Sequence, residues 1–286
     1  MHASRAPEPV NAFTVDVEDY FQVAAFASHI DAGSWDSLPC RVERNTETLL
    51  ALLGGAGVSA TFFTLGWIAE RHPQVVRSIV AQGHELASHG YAHRRASEQS
   101  PAELRQDLLR ARGLLEDIGG TAVIGYRAPS FSIGRDNLWA HDLLAETGHR
   151  YSSSVYPIRH DHYGMPEAPR FAFGTPSGLT EIPATSVRIG QLNLPAAGGG
   201  YFRLLPYAVS RWSLQRVNRR DAQPAIFYCH PWEVDPQQPR IQGVGAKARF
   251  RHYVNLERTA SRIERLLRDF RWGRVDSVFA DQLRAA

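Results

Sequence analysis

The feature that most constrains the fold is a regular alternation of strand-like and helix-like segments along the chain. Phe13 to Val17 alternates apolar and polar residues with a period of two, which predicts a strand. Ser100 and Glu103 flank Pro101 as a capping box, which predicts the start of a helix. The predicted strands are residues 13–17, 59–65, 84–88, 123–126, 151–155, the neighbourhood of Glu181, and 225–229. The predicted helices are residues 45–53, 73–82, 101–118, 136–147, 207–218 and 254–270.

Repeated strand–helix units in a chain of this length predict an α/β fold with a parallel sheet, and a barrel accommodates them in one domain. We therefore expect residues 1–286 to form a single domain. Its core would cover about residues 12–235, and a C-terminal helical extension would cover about residues 236–286.

Composition places the chain among ordinary globular proteins. Its 286 residues are 43% hydrophobic and 21% charged, with a net charge of +3, which excludes a disordered chain or a fibre. The arginines are spread among acidic residues, so no nucleic-acid partner is expected. Cys40 and Cys229 are too few for a disulfide framework. No membrane-spanning apolar run and no signal peptide are visible, so we expect a soluble cytoplasmic protein.

The first motif that carries chemistry is Asp16-Val17-Glu18-Asp19, at the end of the first predicted strand. Residues i and i+2 of a strand point to the same face, so Asp16 and Glu18 face together. Two carboxylates on one face repel each other unless a metal ion or an arginine lies between them. A solvated strand end is the alternative interpretation, and Asp19 extends the acidic tip.

The second motif is His89-Gly90-Tyr91-Ala92-His93, directly after a predicted strand. Imidazoles four residues apart lie on one face of a helical turn and can present two ligands to a divalent metal. Gly90 stands where a zincin has its glutamate, so the HExxH metalloprotease pattern is absent. Taken alone, such a pair is more often structural than metal-binding.

Two further motifs end predicted strands. Arg127 either pairs with a carboxylate of the first motif or lies on the surface. His230, followed by a proline, stands on a rigid turn, where a structural histidine is the alternative. Active-site groups of parallel barrels lie at the C-terminal ends of strands, so the four motifs together predict one site.

The alternation breaks between Pro157 and Gly178, where four prolines and three glycines mark a long loop. Loops of this length in compact domains are often functional. A solvated loop is the alternative to a saccharide-binding one. The polar residues that we expect to line a saccharide groove are Arg159, His160, Asp161 and Tyr163.

Two other features bear on ligand binding. Gly198-Gly199-Gly200 lacks the Lys-Ser/Thr of a phosphate-binding loop, so close backbone packing or substrate approach explains the glycines better than nucleotide binding. Trp232, beside His230, is the tryptophan that we would choose to stack on a sugar, with burial in the core as the alternative.

The order of these motifs resembles that of the polysaccharide deacetylases, the NodB-homology carbohydrate esterases. More narrowly, it is similar to the exopolysaccharide-locus branch associated with exosortase (PEP-CTERM) systems. The stretches that carry the resemblance are TVDVEDYF, SHGYAH, GYRAPSFSI, YSSSVYPIRHDHYG, LPAAGGGYFRLLP and HPWEVDPQQPR. The resemblance implies a distorted (β/α)7 barrel with a long loop insertion. It also implies a divalent-metal amidase that removes N-acetyl groups from the sugars of an exopolysaccharide or its precursor.

Carried over to this chain, the resemblance implies a role for each motif. Asp16 would be the general base and Arg127 would orient it. His230 would be the general acid that protonates the leaving amine. His89 and His93 would be two ligands of the metal.

The third ligand is the first departure from the family pattern. Many relatives have two adjacent aspartates where this chain has Asp16 and Val17, so the second is missing. Some relatives use the acid two positions on, which places Glu18 in the role, with Asp19 as its rival. The resulting His-His-carboxylate set accepts zinc, which we expect, but also nickel, cobalt or iron.

The second departure concerns the general acid. Ser152 stands where relatives often carry an aspartate that tunes the late histidine, and Asp161 or Asp235 could substitute for it. A backbone N–H near Ser130 is expected to stabilise the tetrahedral oxyanion.

Two other functions stay open at this point. A related barrel could hydrolyse a cyclic amide or a ureide instead of an acetylated sugar. A catalytically silent barrel could bind saccharides without turnover, and Ser152 is the one feature in its favour. An N-acetylated polysaccharide or oligosaccharide is the expected partner, and the sequence does not fix the oligomeric state.

Overall fold

The structure, a computed structural model, describes residues 8–160 and 163–285. The strands of this part are β1 (Asn11–Val17), β2 (Thr61–Thr64), β3 (Glu85–Ser88), β4 (Gly125–Tyr126), β5 (Tyr151–Ser152), β6 (Phe173–Gly174), β7 (Thr180–Glu181), β8 (Ser186–Ile189), β9 (Leu192–Pro195), β10 (Ile226–Cys229) and β11 (Trp272–Gly273). The α-helices are α1 (Val42–Gly55), α2 (Gly66–Arg71), α3 (Pro73–Ala81), α4 (Pro101–Gly119), α5 (Ala140–Glu146), α6 (Gly199–Leu204), α7 (Tyr207–Arg220), α8 (Ala246–Tyr253), α9 (Thr259–Asp269), α10 (Val275–Val278) and α11 (Ala280–Ala285).

Nine strands form one curled sheet in the order β10-β1-β2-β3-β4-β5-β7-β6, with β11 beside the start of β1. The run from β10 to β7 consists of seven parallel strands, and β6 lies antiparallel at the edge. All seven residues of β1 are buried, as expected for a parallel strand covered on both faces. The predicted α/β fold with a distorted (β/α)7 barrel is confirmed.

The barrel is distorted because no regular ladder joins β7 to β10. The gap is bridged instead by the backbone N–H of Tyr228, which donates to the Ala197 carbonyl at 2.6 Å, and by the N–H of Ile226, which donates to Thr185 Oγ1 at 2.6 Å. Gly198 makes a single parallel bridge to Tyr228. The segment that follows the β8–β9 hairpin therefore closes the barrel beside β10.

Most predicted elements occur within a few residues of their expected bounds. The Ser100–Glu103 capping box is present at the start of α4. The predicted helix 136–147 starts later, because a short 3-10 turn at Arg135–Asn137 precedes α5. The β8–β9 hairpin was not predicted, because its strands are outside the repeating strand–helix pattern. The C-terminal extension is helical as expected, but it also returns β11 to the sheet.

No helix of the described ranges is both long enough and apolar enough to cross a lipid bilayer.

The glycine run 198–200 allows a matched test of barrel closure. Gly198 has a φ of +126°, and a Cβ there would lie 2.1 Å from the Tyr228 carbonyl oxygen. Nothing but the Arg203 guanidinium, 3.8 Å away, faces a Cβ at Gly200. We expect Gly198→Ala to lower the free energy of unfolding by about 3 kcal/mol or more, and Gly200→Ala to leave it nearly unchanged. Urea denaturation followed by circular dichroism measures both; equal stability of the two variants would contradict the proposed closure.

Candidate active site

Four strand ends bring the predicted site residues together. Asp16 and Glu18 lie at the end of β1, His89 directly follows β3, Arg127 follows β4, and His230 follows β10. Because these strands run parallel, their C-terminal ends meet at one mouth of the barrel. The structure therefore joins residues that are separated by more than 200 positions in the sequence.

Arg127 is the fully buried centre of this arrangement. Its Nη1 donates to Asp16 Oδ1 at 2.6 Å and to Thr14 Oγ1 at 2.8 Å. Its other nitrogens donate to the carbonyl and hydroxyl oxygens of Ser153, and its guanidinium lies 4.1 Å from the ring centre of Phe63. The predicted pairing of Arg127 with a carboxylate of the first motif thus takes place in the barrel interior, where removal of one partner is costly.

Glu18, His89 and His93 form a cluster whose ligand atoms all lie within 4.8 Å of one another. The Nδ1 of His89 lies 2.8 Å from the Arg127 carbonyl oxygen, so this nitrogen carries the proton and Nε2 is left with a lone pair. The Nε1 of Trp232 donates to Glu18 Oε1 at 3.1 Å. A backbone carbonyl and an indole N–H therefore orient two of the three ligands, as outer partners do in metal sites.

The donor set fits a divalent metal. Glu18 Oε2 is buried without a hydrogen-bond partner, although His93 Nε2 lies only 2.7 Å away. Burial lowers the pKa of His89 to about 4, which keeps its imidazole in the neutral form that binds metals. Burial raises the pKa of Glu18, but the neighbouring charges of His93 and His230 outweigh it and hold that pKa well below its usual range. Two imidazoles and one carboxylate are a common three-residue ligand set that leaves positions open on the metal.

The loop between His89 and His93 corrects one sequence expectation. These residues do not form a helical turn; Gly90 has a φ of +75° and His93 a φ of +52°. The loop is held by N–H groups at the start of α2, which donate to the carbonyls of Gly90 and Tyr91, and by the Asp107 carboxylate, which accepts from the Tyr91 N–H. The histidines meet because of these tertiary contacts rather than because of helical spacing.

His230 faces both carboxylates of the first motif. Its Nε2 lies 3.6 Å from Glu18 Oε1 and 4.0 Å from Asp16 Oδ2, and its Nδ1 lies 3.0 Å from Glu233 Oε2. Burial lowers the pKa of His230, but Glu18, Glu233 and Asp16 together raise it to about 9. The imidazole is therefore protonated at neutral pH.

Glu233 is the functional residue that the sequence reasoning missed. It accepts from the His230 backbone and ring through Oε2, and from Arg203 Nε at 2.6 Å through Oε1. Arg203 is itself buried, and it donates to carbonyls of residues 251, 252 and 254. The pattern His-Pro-x-Glu could have revealed it, since a proline and a glutamate three positions on are the marks of a capping box, which is present here.

Of the two residues suggested in place of the missing aspartate at Ser152, Asp235 does not accompany His230. Asp235 instead pairs with Arg41 and accepts from Asn45. Asp161 lies outside the described residues. Ser152 donates to Ser154 Oγ, so it belongs to a set of buried serine hydroxyls beside Arg127. Glu233 therefore occupies the position for which Asp161 and Asp235 were suggested.

Asp19, the predicted rival of Glu18, points away from the histidines. Its carboxylate accepts from the backbone N–H groups of Arg41 and Val42 and from Cys40 Sγ, just before and at the start of α1. It also accepts from the N–H of Tyr20. Asp19 thus anchors the first helix, and Glu18 is the acid that the structure brings to the histidine pair.

Trp232 differs from its predicted role. Its side chain is only 5% exposed, and its ring stacks on His230 at 5.1 Å and on His252 at 4.2 Å. Its N–H is used by Glu18. The ring therefore packs against His230 and His252 and holds the Glu18 carboxylate. It has no free face that could stack on a sugar.

Four of the remaining predicted substrate residues, Ser130, Arg159, His160 and Tyr163, belong to the part of the chain that the structure describes. Ser130 is half-buried with a φ of +58°, and Arg159 is exposed. Tyr163 stacks on His160 with ring centres 3.9 Å apart and lies 6.2 Å from Phe131. A groove of about 400 Å³ runs along Tyr163 and Phe131. Contact of these residues with a saccharide stays a prediction.

Two family models match different parts of this chain. Residues 28–151 match the polysaccharide deacetylase family model, and residues 153–280 match a domain of unknown function, DUF3473. The boundary follows β5 and divides the site, because His230 and Glu233 belong to the second match. A chitooligosaccharide deacetylase from Bradyrhizobium sp. (strain ANU 289) is 29% identical over 111 residues, which cover 39% of this chain and 48% of the relative. The chain spans less than half the length of the first curated relatives that it matches.

Solved structures agree in fold. A structure from Mycobacterium smegmatis, assigned by its name to the polysaccharide deacetylases, has a TM-score of 0.63 and 21% identity, and the alignment covers 100% of this chain and 93% of that one. An allantoinase structure has a TM-score of 0.58 and 16% identity, over 99% of this chain and 95% of that one. The fold alone therefore does not choose between these chemistries. Residues 28–151, somewhat less than half of the chain, are thus similar to the polysaccharide deacetylase family, and the fold agrees with that similarity.

Proposed function

We propose that this chain is a metal-dependent N-deacetylase that acts on N-acetylated sugars, with an exopolysaccharide or its precursor as substrate. The observation that carries the proposal is the meeting of two sets at one mouth of the barrel. One set is the ligand cluster Glu18, His89 and His93, and the other is the carboxylate–imidazole pair Asp16 and His230. Hydrolysis of an amide requires a polarised carbonyl, a base for water and an acid for the leaving nitrogen, and these residues supply all three.

The ligand cluster would hold one divalent ion, for which we propose zinc. Such an ion polarises the acetyl carbonyl and lowers the pKa of a water molecule. Nickel, cobalt and iron suit the same donors. Glu18 and His89 are already oriented by neighbouring groups of the chain, which reduces the entropy that must be lost when the ion binds.

Asp16 is the proposed general base. Arg127 Nη1 holds its Oδ1 at 2.6 Å, which leaves Oδ2 directed toward His230 at 4.0 Å. A water molecule that attacks the acetyl carbon from this side would transfer its proton to Oδ2. Arg127 acts through Asp16 as a positioning residue, since its side chain is fully buried and donates to Asp16, Thr14 and Ser153.

His230 is the proposed general acid. An amine cannot leave as an anion at neutral pH, so the nitrogen must receive a proton as the C–N bond breaks. Glu233 takes the Nδ1 side of the ring, so the Nε2 proton faces the two carboxylates of the cleft.

We further propose that a backbone N–H near Ser130 stabilises the oxyanion and that Arg159, His160 and Tyr163 contact the saccharide.

The motifs also favour the exopolysaccharide branch of the family, and one domain that contains residues 1–286. The proposal of a single domain rests on the division of the site between both halves of the chain. Glu18 and Asp16 precede the matched segment 28–151, whereas His230 follows β10. Separation of the chain near residue 152 would split the site.

The proposed activity is tested by release of acetate and free amine from N-acetylglucosamine oligomers with added zinc. We expect turnover by the wild-type chain and a loss of more than about a hundredfold for His89→Ala, because even outer partners of a metal ligand are worth ten- to a hundredfold. His29→Ala, an exposed histidine, is the matched control and should retain full activity. Unchanged turnover by His89→Ala would overturn the proposal.

The same assay separates the alternatives. Ring opening of allantoin without acetate release would assign a cyclic-amide hydrolase. Binding of the oligomer without either reaction, by protein that has taken up zinc, would assign a silent saccharide-binding barrel.

The choice of Glu18 over Asp19 is tested by zinc titration calorimetry on two isosteric variants. We expect Glu18→Gln to weaken zinc binding more than about a hundredfold, because the carboxylate ligand is lost. Asp19→Asn should still bind one zinc ion. Its free energy of unfolding, measured by urea denaturation, should fall by about 1–3 kcal/mol, because buried N–H groups lose their charged acceptor. Zinc binding that fails in Asp19→Asn and survives in Glu18→Gln would reverse the assignment.

The role of Glu233 is tested by steady-state kinetics of Glu233→Gln against Asp235→Asn. A glutamine has one acceptor oxygen where Glu233 uses two, so either Arg203 or His230 would face an NH₂ group. We expect kcat to fall at least about tenfold with little change in KM. Asp235→Asn disturbs the contacts with Arg41 and Asn45, neither of which touches His230, so it should leave kcat within about twofold. Equal losses of kcat in both variants would make the role of Glu233 merely structural.

A further inference from the structure

Exposed apolar side chains are concentrated in one part of the described surface. Nine large hydrophobic residues of the described ranges are well exposed, and six of them lie between residues 189 and 212. These six are Ile189, Leu192, Leu194, Leu204, Val209 and Trp212. Single exposed hydrophobic residues are ordinary, whereas a concentration of them marks an interaction surface.

The β8–β9 hairpin carries the first half of this surface. Val187 pairs with Leu194, and Ile189 pairs with Leu192, so all four side chains share one face of the hairpin. Val187, at the base, is buried, and Leu192, at the tip, is 68% exposed. The two strands pair only with each other. The apolar face therefore continues from the packed interior to an uncovered tip.

Helix α7 carries the second half. Val209, Trp212 and Arg216 are spaced three and four residues apart, which places them on one face of the helix. Arg216 donates from Nε to the carbonyl oxygen of Arg188 in β8, and its guanidinium lies 5.6 Å from the Trp212 ring centre. Arg216 thus joins the exposed face of α7 to the hairpin, so the two halves form one surface.

Arginines surround this surface without matching acids. Within the described ranges, no carboxylate lies within 4.0 Å of a side-chain nitrogen of Arg188, Arg216 or Arg220; Asp221, the nearby acid, is paired with Arg170. A groove of about 470 Å³ is lined by these four arginines, by Asp221, and by the hairpin turn at Gly190 and Gln191. The four arginines outnumber the single carboxylate, so the groove is positively charged and favours anionic groups.

We propose that the β8–β9 hairpin and the adjoining face of α7 form a docking surface for an anionic lipid bilayer. An apolar tip inserts among acyl chains while arginines beside it contact lipid phosphates, the combination that binds proteins to the membrane interface. A narrow two-stranded tip whose most exposed residue is Leu192 suits insertion better than it suits burial against a flat protein partner. This surface is separate from the residues of the proposed active site, so the proposal does not depend on catalysis.

Co-sedimentation with large unilamellar vesicles tests the proposal on the full chain. We expect binding to vesicles of equal parts phosphatidylglycerol and phosphatidylcholine, little binding to phosphatidylcholine alone, and weaker binding as salt is raised. The pair Ile189→Ser and Leu192→Ser, and separately the pair Arg188→Ala and Arg220→Ala, should each weaken partitioning about tenfold or more. Leu109→Ser in α4 and Arg44→Ala in α1, both exposed, are the matched controls and should bind as wild type.

Three results would overturn this assignment. The first is equal binding to neutral and anionic vesicles, and the second is equal loss in the control variants. The third is a dimer in light scattering that dissociates in the Ile189→Ser and Leu192→Ser variant, with no vesicle binding by the wild type, because the surface would then be an interface between two copies of the chain. Thermal denaturation of each variant excludes unfolding as the cause of lost binding.

Discussion

The buried ion pair between Arg127 and Asp16 is the interaction on which the rest of the site depends. Through its side chain Arg127 connects β1 with the loop after β5, and through its carbonyl oxygen it orients His89 after β3. Arg127 thus fixes Asp16, the proposed base, and His89, a proposed metal ligand. A buried guanidinium is costly unless its donors find acceptors. Four hydrogen bonds meet this need, to Asp16, to the Thr14 hydroxyl, and to the hydroxyl and carbonyl oxygens of Ser153.

The C-terminal extension is part of the same machinery rather than an appendage. His252, at the end of α8, stacks on Trp232, which stacks on His230 and donates to Glu18. Carbonyls of the same segment accept from Arg203, which holds Glu233. Both His230, the proposed acid, and Glu18, a proposed metal ligand, therefore take their orientation from residues beyond β10. This arrangement links the C-terminal part of the chain to the end of β1.

Much of the fold and part of the site could be predicted from the sequence. The period-two pattern of β1 places Asp16 and Glu18 on one face, and the motif order places the histidines at strand ends. The sequence could not show where Asp19 points, because its acceptor role depends on the start of α1, more than 20 residues away. The sequence suggested Asp161 or Asp235 beside His230 and did not reveal Glu233, since this choice depends on which acid meets Arg203 in space. The burial of Trp232 could not be predicted for the same reason, because it depends on His252, which lies in a segment that is distant in sequence.

The central claim is that Glu18, His89 and His93 together hold one divalent ion. Anomalous diffraction at the zinc absorption edge, from crystals grown with zinc, tests it most directly. We expect one anomalous peak at the mouth of the barrel, within bonding distance of a Glu18 carboxylate oxygen and of Nε2 of both histidines. A peak ligated through Asp19 would contradict this assignment. So would a crystal in which zinc is bound at other places but gives no peak near the two histidines.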